Sequence, residues 1–138
     1  MDIKKTANSF ANFTIKRIAE IFGLTVFCAG ALLLLALITY SPEDPNFIFP
    51  ENTKIENILG FQGSFISDIF FQSIGLVAYF FSFSLIVTGI NIIRSKEFFL
   101  IIENIFFAII YSILGSLFFA HFYPDAFALY INGNGGFI

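Results

Sequence analysis

The chain has 138 residues, of which 57% are hydrophobic and only 12% are charged, with a formal net charge of −3. A typical soluble domain is about 45–50% apolar and about 25% charged. With 22 Phe and no Trp besides, this composition argues against a water-soluble enzyme, because a small domain keeps much of its surface exposed. One Cys and one His leave no internal disulfide and no metal cluster, and the negative charge does not favour nucleic-acid binding.

Three apolar runs are each long enough to cross a bilayer, which takes about 20 residues. They are Ile21–Tyr40, Ile69–Ile93 and Phe98–Phe122. The first is too long for the core of a signal peptide. The sequence therefore predicts an all-α membrane bundle with three spans in a single domain, 1–138. Its predicted parts are a cytoplasmic N-terminus (1–17), a first span (about 18–40), an outer loop (41–66), a second span (about 67–93), an inner turn (94–97), a third span (about 98–122) and an outer Gly-rich tail (123–138).

The basic residues predict the orientation of these spans. Short loops rich in Lys and Arg stay in the cytoplasm, and six of the seven basic residues fall on one side: Lys4, Lys5, Lys16, Arg17, Arg94 and Lys96. Only Lys54 falls on the other side, so the 41–66 loop and the C-terminus are expected outside. A second interpretation of the basic N-terminus is a surface that binds anionic lipid.

Small and polar residues recur on one face of each predicted span. Such stripes are typical of contacts between spanning helices, because lipid tails do not drive helices together. The stripe comprises Gly23 and Gly30 in the first span, Ser64, Asp68, Gln72, Gly75, Tyr79, Ser82 and Gly89 along the second, and Asn104, Ala108, Tyr111 and Gly115 in the third. We expect these faces to meet in the bundle, with Phe and Ile towards lipid.

Few residues carry chemistry. Glu103 is the one carboxylate well inside a span. Two interpretations are open: a role in transport or proton transfer, or a structural role in which the side chain extends to the membrane interface. Asp68, placed at the start of the second span, is expected to stabilise the helix end or a bundle contact. Cys28 and His121 are expected to serve packing. Because the sequence holds no GxxxxGK[ST] phosphate loop, we predict no catalytic, cofactor-binding or metal-binding residue.

Four short motifs follow one another along the chain. They are Tyr40–Phe47 (YSPEDPNF), Asn57–Asp68 (NILGFQGSFISD), Gly75–Tyr79 (GLVAY) and the Gly-rich Asn132–Ile138. Together they resemble the N-terminal membrane domain of FtsK-type bacterial DNA translocases, whose patterns are YSPxDPSF, NxxGxxGAxxAD and GxxAY. The matching positions are Ser41, Pro42, Asp44, Pro45, Asn57, Gly60, Gly63, Asp68, Gly75, Ala78 and Tyr79.

The resemblance implies a four-span domain of the bacterial inner membrane that anchors the protein at the division septum. It also implies contacts with other division-site membrane proteins and with further copies of the chain. In the family, a hexameric cytoplasmic motor pumps double-stranded DNA with ATP during chromosome segregation. This sequence has three spans and no motor, so we expect a fragment or a split gene that neither hydrolyses ATP nor binds nucleic acid. The alternatives are a small transporter or channel component, or an unrelated accessory membrane protein.

The residues of the motifs also have a direct physical interpretation. Pro42 and Pro45 end the first helix and stiffen the chain that leaves it. Gly60 and Gly63 permit tight backbone geometry before the second span. We therefore expect a shaped loop at this place and not an active site.

Overall fold

The computed structural model describes residues 3–45, 54–124 and 133–137, and for residues 3–7 it describes the backbone alone. Within these ranges the chain forms four helices and no strand. They are α1 (Ile3–Ile38), α2 (Gly60–Ile74), α3 (Val77–Ser95) and α4 (Leu100–Phe122). The prediction of an all-α fold is confirmed.

Three of the helices in the described ranges are long and apolar enough to cross a membrane: Asn8–Ile38 within α1, α3 and α4. At about 1.5 Å per residue, α3 and α4 are roughly 28 Å and 34 Å long, close to the hydrocarbon thickness of about 30 Å. The surface of α4 is apolar, with Ile102, Phe106 and Leu114 exposed by 64%, 60% and 62%. Such a surface is unfavourable in water and favourable in lipid, so the predicted membrane bundle is also confirmed.

α1 is longer than the first predicted span. It has 36 residues, or roughly 54 Å, because no Gly or Pro interrupts the chain before Gly23 and the helix begins as early as Ile3. It ends at Ile38, four residues before Pro42. A proline ring clashes with the carbonyl group four residues earlier, so the helix cannot continue through Pro42. About 24 Å of α1 therefore exceeds the thickness of the hydrocarbon.

α1 and α3 pack closely because both are glycine-lined at their contact. A Cβ atom on Gly89 would lie 2.5 Å from the backbone nitrogen of Phe27 and 2.7 Å from the carbonyl oxygen of Gly23. A Cβ on Gly30 would lie 2.8 Å from the backbone nitrogen of Ile86. Small residues let the two backbones touch, which strengthens van der Waals contact between membrane helices.

The second predicted span, about 67–93, is not one helix. α2 ends at Ile74 and α3 begins at Val77, with Gly75 between them at φ 59° and ψ −140°. The backbone N–H of Leu76 donates to the carbonyl oxygen of Asn134 (3.0 Å) and not to a carbonyl of α2. A Cβ on Gly75 would overlap that same carbonyl group. The chain breaks here because a distant segment replaces the hydrogen bond of the helix.

This break corrects the single stripe predicted along the second span. Ser64, Asp68 and Gln72 belong to α2, whereas Tyr79, Ser82 and Gly89 belong to α3. It also places Asp68 in the ninth position of α2 and not at the start of a spanning helix. A helical wheel drawn over both segments assumed a continuous backbone, which Gly75 interrupts.

The apolar core lies where α1 ends and α2 passes into α3. It consists of Leu33, Leu37, Phe71, Ile74 and Ala78. Phe71 is completely buried, and the rings of Tyr40 and Tyr79 lie 4.9 Å and 5.5 Å from it. This core holds the end of the bundle at which the predicted motifs occur, and we call that end the loop end.

The opposite end, which we call the basic end, contains Lys16, Arg17, Arg94 and Lys96. α3 runs through Arg94, and Lys96 ends it in the left-handed conformation at φ 61°, so the predicted inner turn at 94–97 becomes 96–99. Lys96 Nζ lies 2.7 Å from a carboxylate oxygen of Glu20, and Arg17 lies 2.5 Å from the other. Lys4 and Lys5 lie in the first turns of α1, and their side chains are outside the described residues.

Candidate functional site: a polar cluster at the loop end

Five polar side chains meet at the loop end, and we call them the loop-end cluster: Tyr40, Asp44, Asn57, Ser64 and Asp68. Asp44, Asn57 and Asp68 are only 5%, 4% and 7% exposed. Burying polar groups is unfavourable unless they are hydrogen-bonded, and each of these side chains has partners. Three of the five are motif positions and the other two are neighbours of motif positions, and the sequence separates them by up to 28 residues.

Asp44 joins the two described parts of the loop. Its carboxylate accepts hydrogen bonds from the backbone N–H groups of Glu56 (2.8 Å) and Asn57 (3.0 Å). Its own N–H donates to the carbonyl oxygen of Ser41 (3.2 Å), which forms a turn directly after α1. Bonds from N–H groups to a carboxylate are stronger than neutral ones, so Asp44 fixes where the loop returns to the bundle. The neighbouring motif residues Asn46 and Phe47 lie outside the described residues.

Asn57 connects the loop to the end of α1. Its amide nitrogen donates to the carbonyl oxygen of Ala36 (2.9 Å), and its amide oxygen accepts from the N–H of Leu59 (3.0 Å). The last four carbonyls of a helix have no partner inside the helix, and Asn57 satisfies one of them. Gly63 packs against this amide so closely that a Cβ would overlap its oxygen. Gly60 starts α2 at φ 68°, which glycine adopts without strain.

Tyr40 and Asp68 connect α1 to α2. The Tyr40 hydroxyl donates to one carboxylate oxygen of Asp68 (3.1 Å), and Gln72 donates to the other (2.7 Å). Burial, together with the nearby negative charge of Asp68, raises the pKa of the Tyr40 phenol well above its usual range. The phenol therefore stays a hydrogen-bond donor at all physiological pH values. Ser64 adds a bond to the carbonyl oxygen of Pro45 (3.3 Å).

Tyr79 connects α3 to the end of α1. Its hydroxyl donates to the carbonyl oxygen of Leu37 (3.2 Å), beside the carbonyl that Asn57 satisfies. Ala78, its neighbour in the motif, is completely buried in the core. The end of α1 is thus capped by side chains from two separate parts of the chain, and the loop end becomes a fixed shape.

The Gly-rich segment forms a turn, and it docks against three helices. Phe137 N–H donates to the carbonyl oxygen of Gln72 at the end of α2 (2.6 Å). The Ser116 hydroxyl on α4 donates to the carbonyl oxygen of Gly135, and the buried Asn134 amide donates to the carbonyl oxygen of Tyr123. Together with the bond from Leu76, these contacts connect the turn to α2, α4 and the start of α3. The sequence identified a Gly-rich tail here but did not predict that it docks against the helices.

The remaining stripe residues lie between helices. Asn104 on α4 donates to the Thr88 hydroxyl on α3 (2.9 Å), and a Cβ on Gly115 would lie 2.9 Å from Val77. Ala108 and Ser82 are buried. Thr88 was outside the predicted stripe although it is only 2% exposed. It contacts α4, whereas Gly89, about 100° further around α3, contacts α1.

The side chains singled out for chemistry take peripheral positions. Glu103 lies in the first turn of α4 and is exposed, and Cys28 is exposed on α1. The His121 ring packs edge-on against Phe122 at 4.8 Å. In the described part of the chain, no three His, Cys, Asp or Glu side chains lie together in a way that could hold a metal ion. The hydrogen bonds of the loop-end cluster hold the loop backbone in place and give the loop end a defined surface.

The fold and the cluster define a helical membrane domain whose spans are joined at one end by a hydrogen-bonded loop. The family model described as "4TM region of DNA translocase FtsK/SpoIIIE" matches residues 15–138. The chain belongs to this family, so the resemblance drawn from the motifs is confirmed.

Individual relatives agree with the family. The chain is 40% identical over 79 residues to the DNA translocase FtsK of Caulobacter vibrioides, covering 57% of this chain and 10% of that protein. It is 28% identical over 98 residues to the DNA translocase FtsK of Rhizobium meliloti, covering 71% of this chain and 11% of that protein. The chain thus spans about a tenth of the length of the curated relatives it matches. No solved structure matches it significantly.

Proposed function

We propose that this chain is the membrane-anchoring region of a cell-division DNA translocase, that it resides in the bacterial inner membrane, and that it associates with other membrane proteins of the division septum. The observation that carries the proposal is the loop-end cluster. Its bonds join the motif residues of the family into one fixed shape, beyond what three spans need to stay in a bilayer. A shaped surface at the end of a membrane anchor is suited to recognising a partner.

In this proposal the basic end faces the cytoplasm and the loop end faces outwards. Support comes from the ion pairs of Glu20, which place Arg17 and Lys96 at the same end of the bundle, and from the rule that basic residues stay inside. Reporter fusions after Lys54 and after Ser95 test this orientation. They are expected to report outside and inside respectively, and the reverse pattern would overturn it.

The chain contributes anchoring and recognition, while ATP-driven DNA movement belongs to other parts of a translocase. Support comes from the family match and from the use of the motif side chains in structural hydrogen bonds. Further copies of the chain are expected to assemble with it, as the hexameric motor of the family implies.

Localisation in dividing cells tests the function. A fluorescent fusion of the chain is expected to concentrate at the septum, and the Asp44→Ala variant is expected to spread evenly over the membrane because its loop loses two hydrogen bonds. The matched control is Glu43→Ala, which removes an exposed neighbouring carboxylate and should localise normally. Even distribution of the unaltered chain, at a normal membrane level, would contradict the proposal.

A further inference from the structure

The polar face of α2 points into the protein and its apolar face points outwards, which is the reverse of a helix on the surface of a water-soluble protein. Its inner face carries Ser64, Ser67 and Asp68, which are 1%, 0% and 7% exposed. Its outer face carries Phe61, Ile66 and Ile69, which are 47%, 42% and 47% exposed. A helix at a water surface normally shows the opposite pattern. The solvent that fits the outer face is therefore apolar.

We infer that α2 lies embedded in one leaflet of the bilayer, at the loop end, with its outer face against the acyl chains of lipid. It has 15 residues, or roughly 22 Å, which is too short to cross about 30 Å of hydrocarbon. It is therefore a further helix that contacts the membrane without crossing it.

The depth of α2 along the bundle supports this position. A groove between α1 and α2 is lined by Ala29, Leu32, Ile66 and Phe70, and by Leu85 of α3. Ala29 lies nine residues before the end of α1, so the groove that α2 lines extends roughly 14 Å along α1. Half of the hydrocarbon thickness is about 15 Å. α2 thus lies beside a part of α1 that itself crosses the membrane.

The outer face of α2 also continues the lipid-facing surface of α4. An apolar cleft of about 330 Å³ between them is lined by Ile69, Phe70, Phe81, Ile109 and Ile113, with two Ser residues. The charge pattern agrees, because the only charged residue in α2 is Asp68, whose carboxylate is bonded inwards to Tyr40 and Gln72. Lipid therefore meets one continuous apolar surface across α2 and α4.

The absence of Trp from the sequence makes a direct test possible. Each of Phe61→Trp, Ile66→Trp and Ile69→Trp introduces a single fluorophore at an outward-facing position of the 138-residue chain. The variants are reconstituted in phosphatidylcholine vesicles with or without brominated acyl chains, which quench Trp on contact. Acrylamide, added to the water, quenches Trp that is exposed to solvent. Leu114→Trp on α4 is the lipid-facing reference and Lys54→Trp in the loop is the aqueous reference.

We expect the three α2 variants to be quenched by the brominated chains to within twofold of Leu114→Trp, and to be protected from acrylamide relative to Lys54→Trp. Quenching by acrylamide alone would show that α2 faces water, and protection from both quenchers would show that protein covers the face. Either result overturns the inference. Far-UV circular dichroism checks that each variant keeps its helices, and the three positions guard against one misfolded variant. The outcome is independent of septal localisation.

Discussion

The hydrogen bonds of Asn57 predict that the loop end loses stability when this side chain is removed. Asn57→Ala deletes a donor to the Ala36 carbonyl at 2.9 Å and an acceptor for the Leu59 N–H at 3.0 Å. Because Asn57 is only 4% exposed, water does not readily replace these partners. The end of α1 and the start of α2 lose their connection at the same time.

The magnitude follows from the two groups left behind. A neutral hydrogen bond contributes about 1 kcal/mol, and a buried group without its partner costs about 1–3 kcal/mol. Two such groups give a destabilisation of roughly 2–6 kcal/mol for Asn57→Ala. Asn57→Asp keeps the acceptor for Leu59, but it loses the donor and places a negative charge against the Ala36 carbonyl. We expect at least as large a loss for this nearly isosteric variant at neutral pH.

Unfolding of the chain by sodium dodecyl sulfate in mixed micelles, followed by near-ultraviolet circular dichroism of the tyrosines, measures these differences. The matched control is Ile58→Ala, which truncates a neighbouring side chain that is 73% exposed and should change stability by less than about 0.5 kcal/mol. If Asn57→Ala and Ile58→Ala unfold at the same midpoint, Asn57 does not hold the loop to α1, and the account of the loop-end cluster is wrong.

Three further predictions use the same unfolding assay. Gly89→Ala forces a methyl group against the Phe27 backbone and is expected to cost about 1–3 kcal/mol, whereas Cys28→Ala, on the exposed side of α1, should have little effect; equal effects would refute the close packing of α1 and α3. Glu20→Gln is expected to lower stability only slightly because its ion pairs are partly exposed. Adding Lys96→Met should then bring less loss than the same change in the unaltered chain; full additivity would show that Glu20 and Lys96 do not interact. Folding raises the pKa of the Tyr40 phenol, so the phenol loses its proton at a lower pH in the unfolded chain than in the folded one, and stability should fall as the pH rises above about 10. Tyr40→Phe should reduce this dependence of stability on pH; an unchanged dependence would contradict the burial of the phenol.

The spans were predictable because the bilayer sets a length that any apolar run must meet. Ile21–Tyr40 and Phe98–Phe122 each satisfy this length without reference to the rest of the chain. Within α2, the i, i+4 spacing of Asp68 and Gln72 also predicted their shared face correctly, because that part of the wheel was drawn over a real helix. Local periodicity was sufficient wherever the backbone remained regular.

The cluster itself was beyond local reasoning. The family pattern marked Asp44, Asn57 and Asp68 as important, but no period relates Tyr40 to Asp68 or Asn57 to the carbonyl of Ala36. Gly75 was equally ambiguous, since a glycine in an apolar helix favours either close packing or a break. The Asn134 carbonyl decides between the two, and it lies far along the sequence. The ion pair between Glu20 and Lys96 is another such long-range contact.

The bond between Leu76 and Asn134 also affects the order in which the domain assembles. Asn134 leaves the ribosome about sixty residues after Leu76, which at about 5–20 residues per second is a delay of several seconds. During that interval α1 and α3 can already pair through their glycines, while the junction between α2 and α3 still lacks its partner. The junction between α2 and α3 therefore gains its partner only after both helices have been synthesised, and a change near Asn134 acts on that junction.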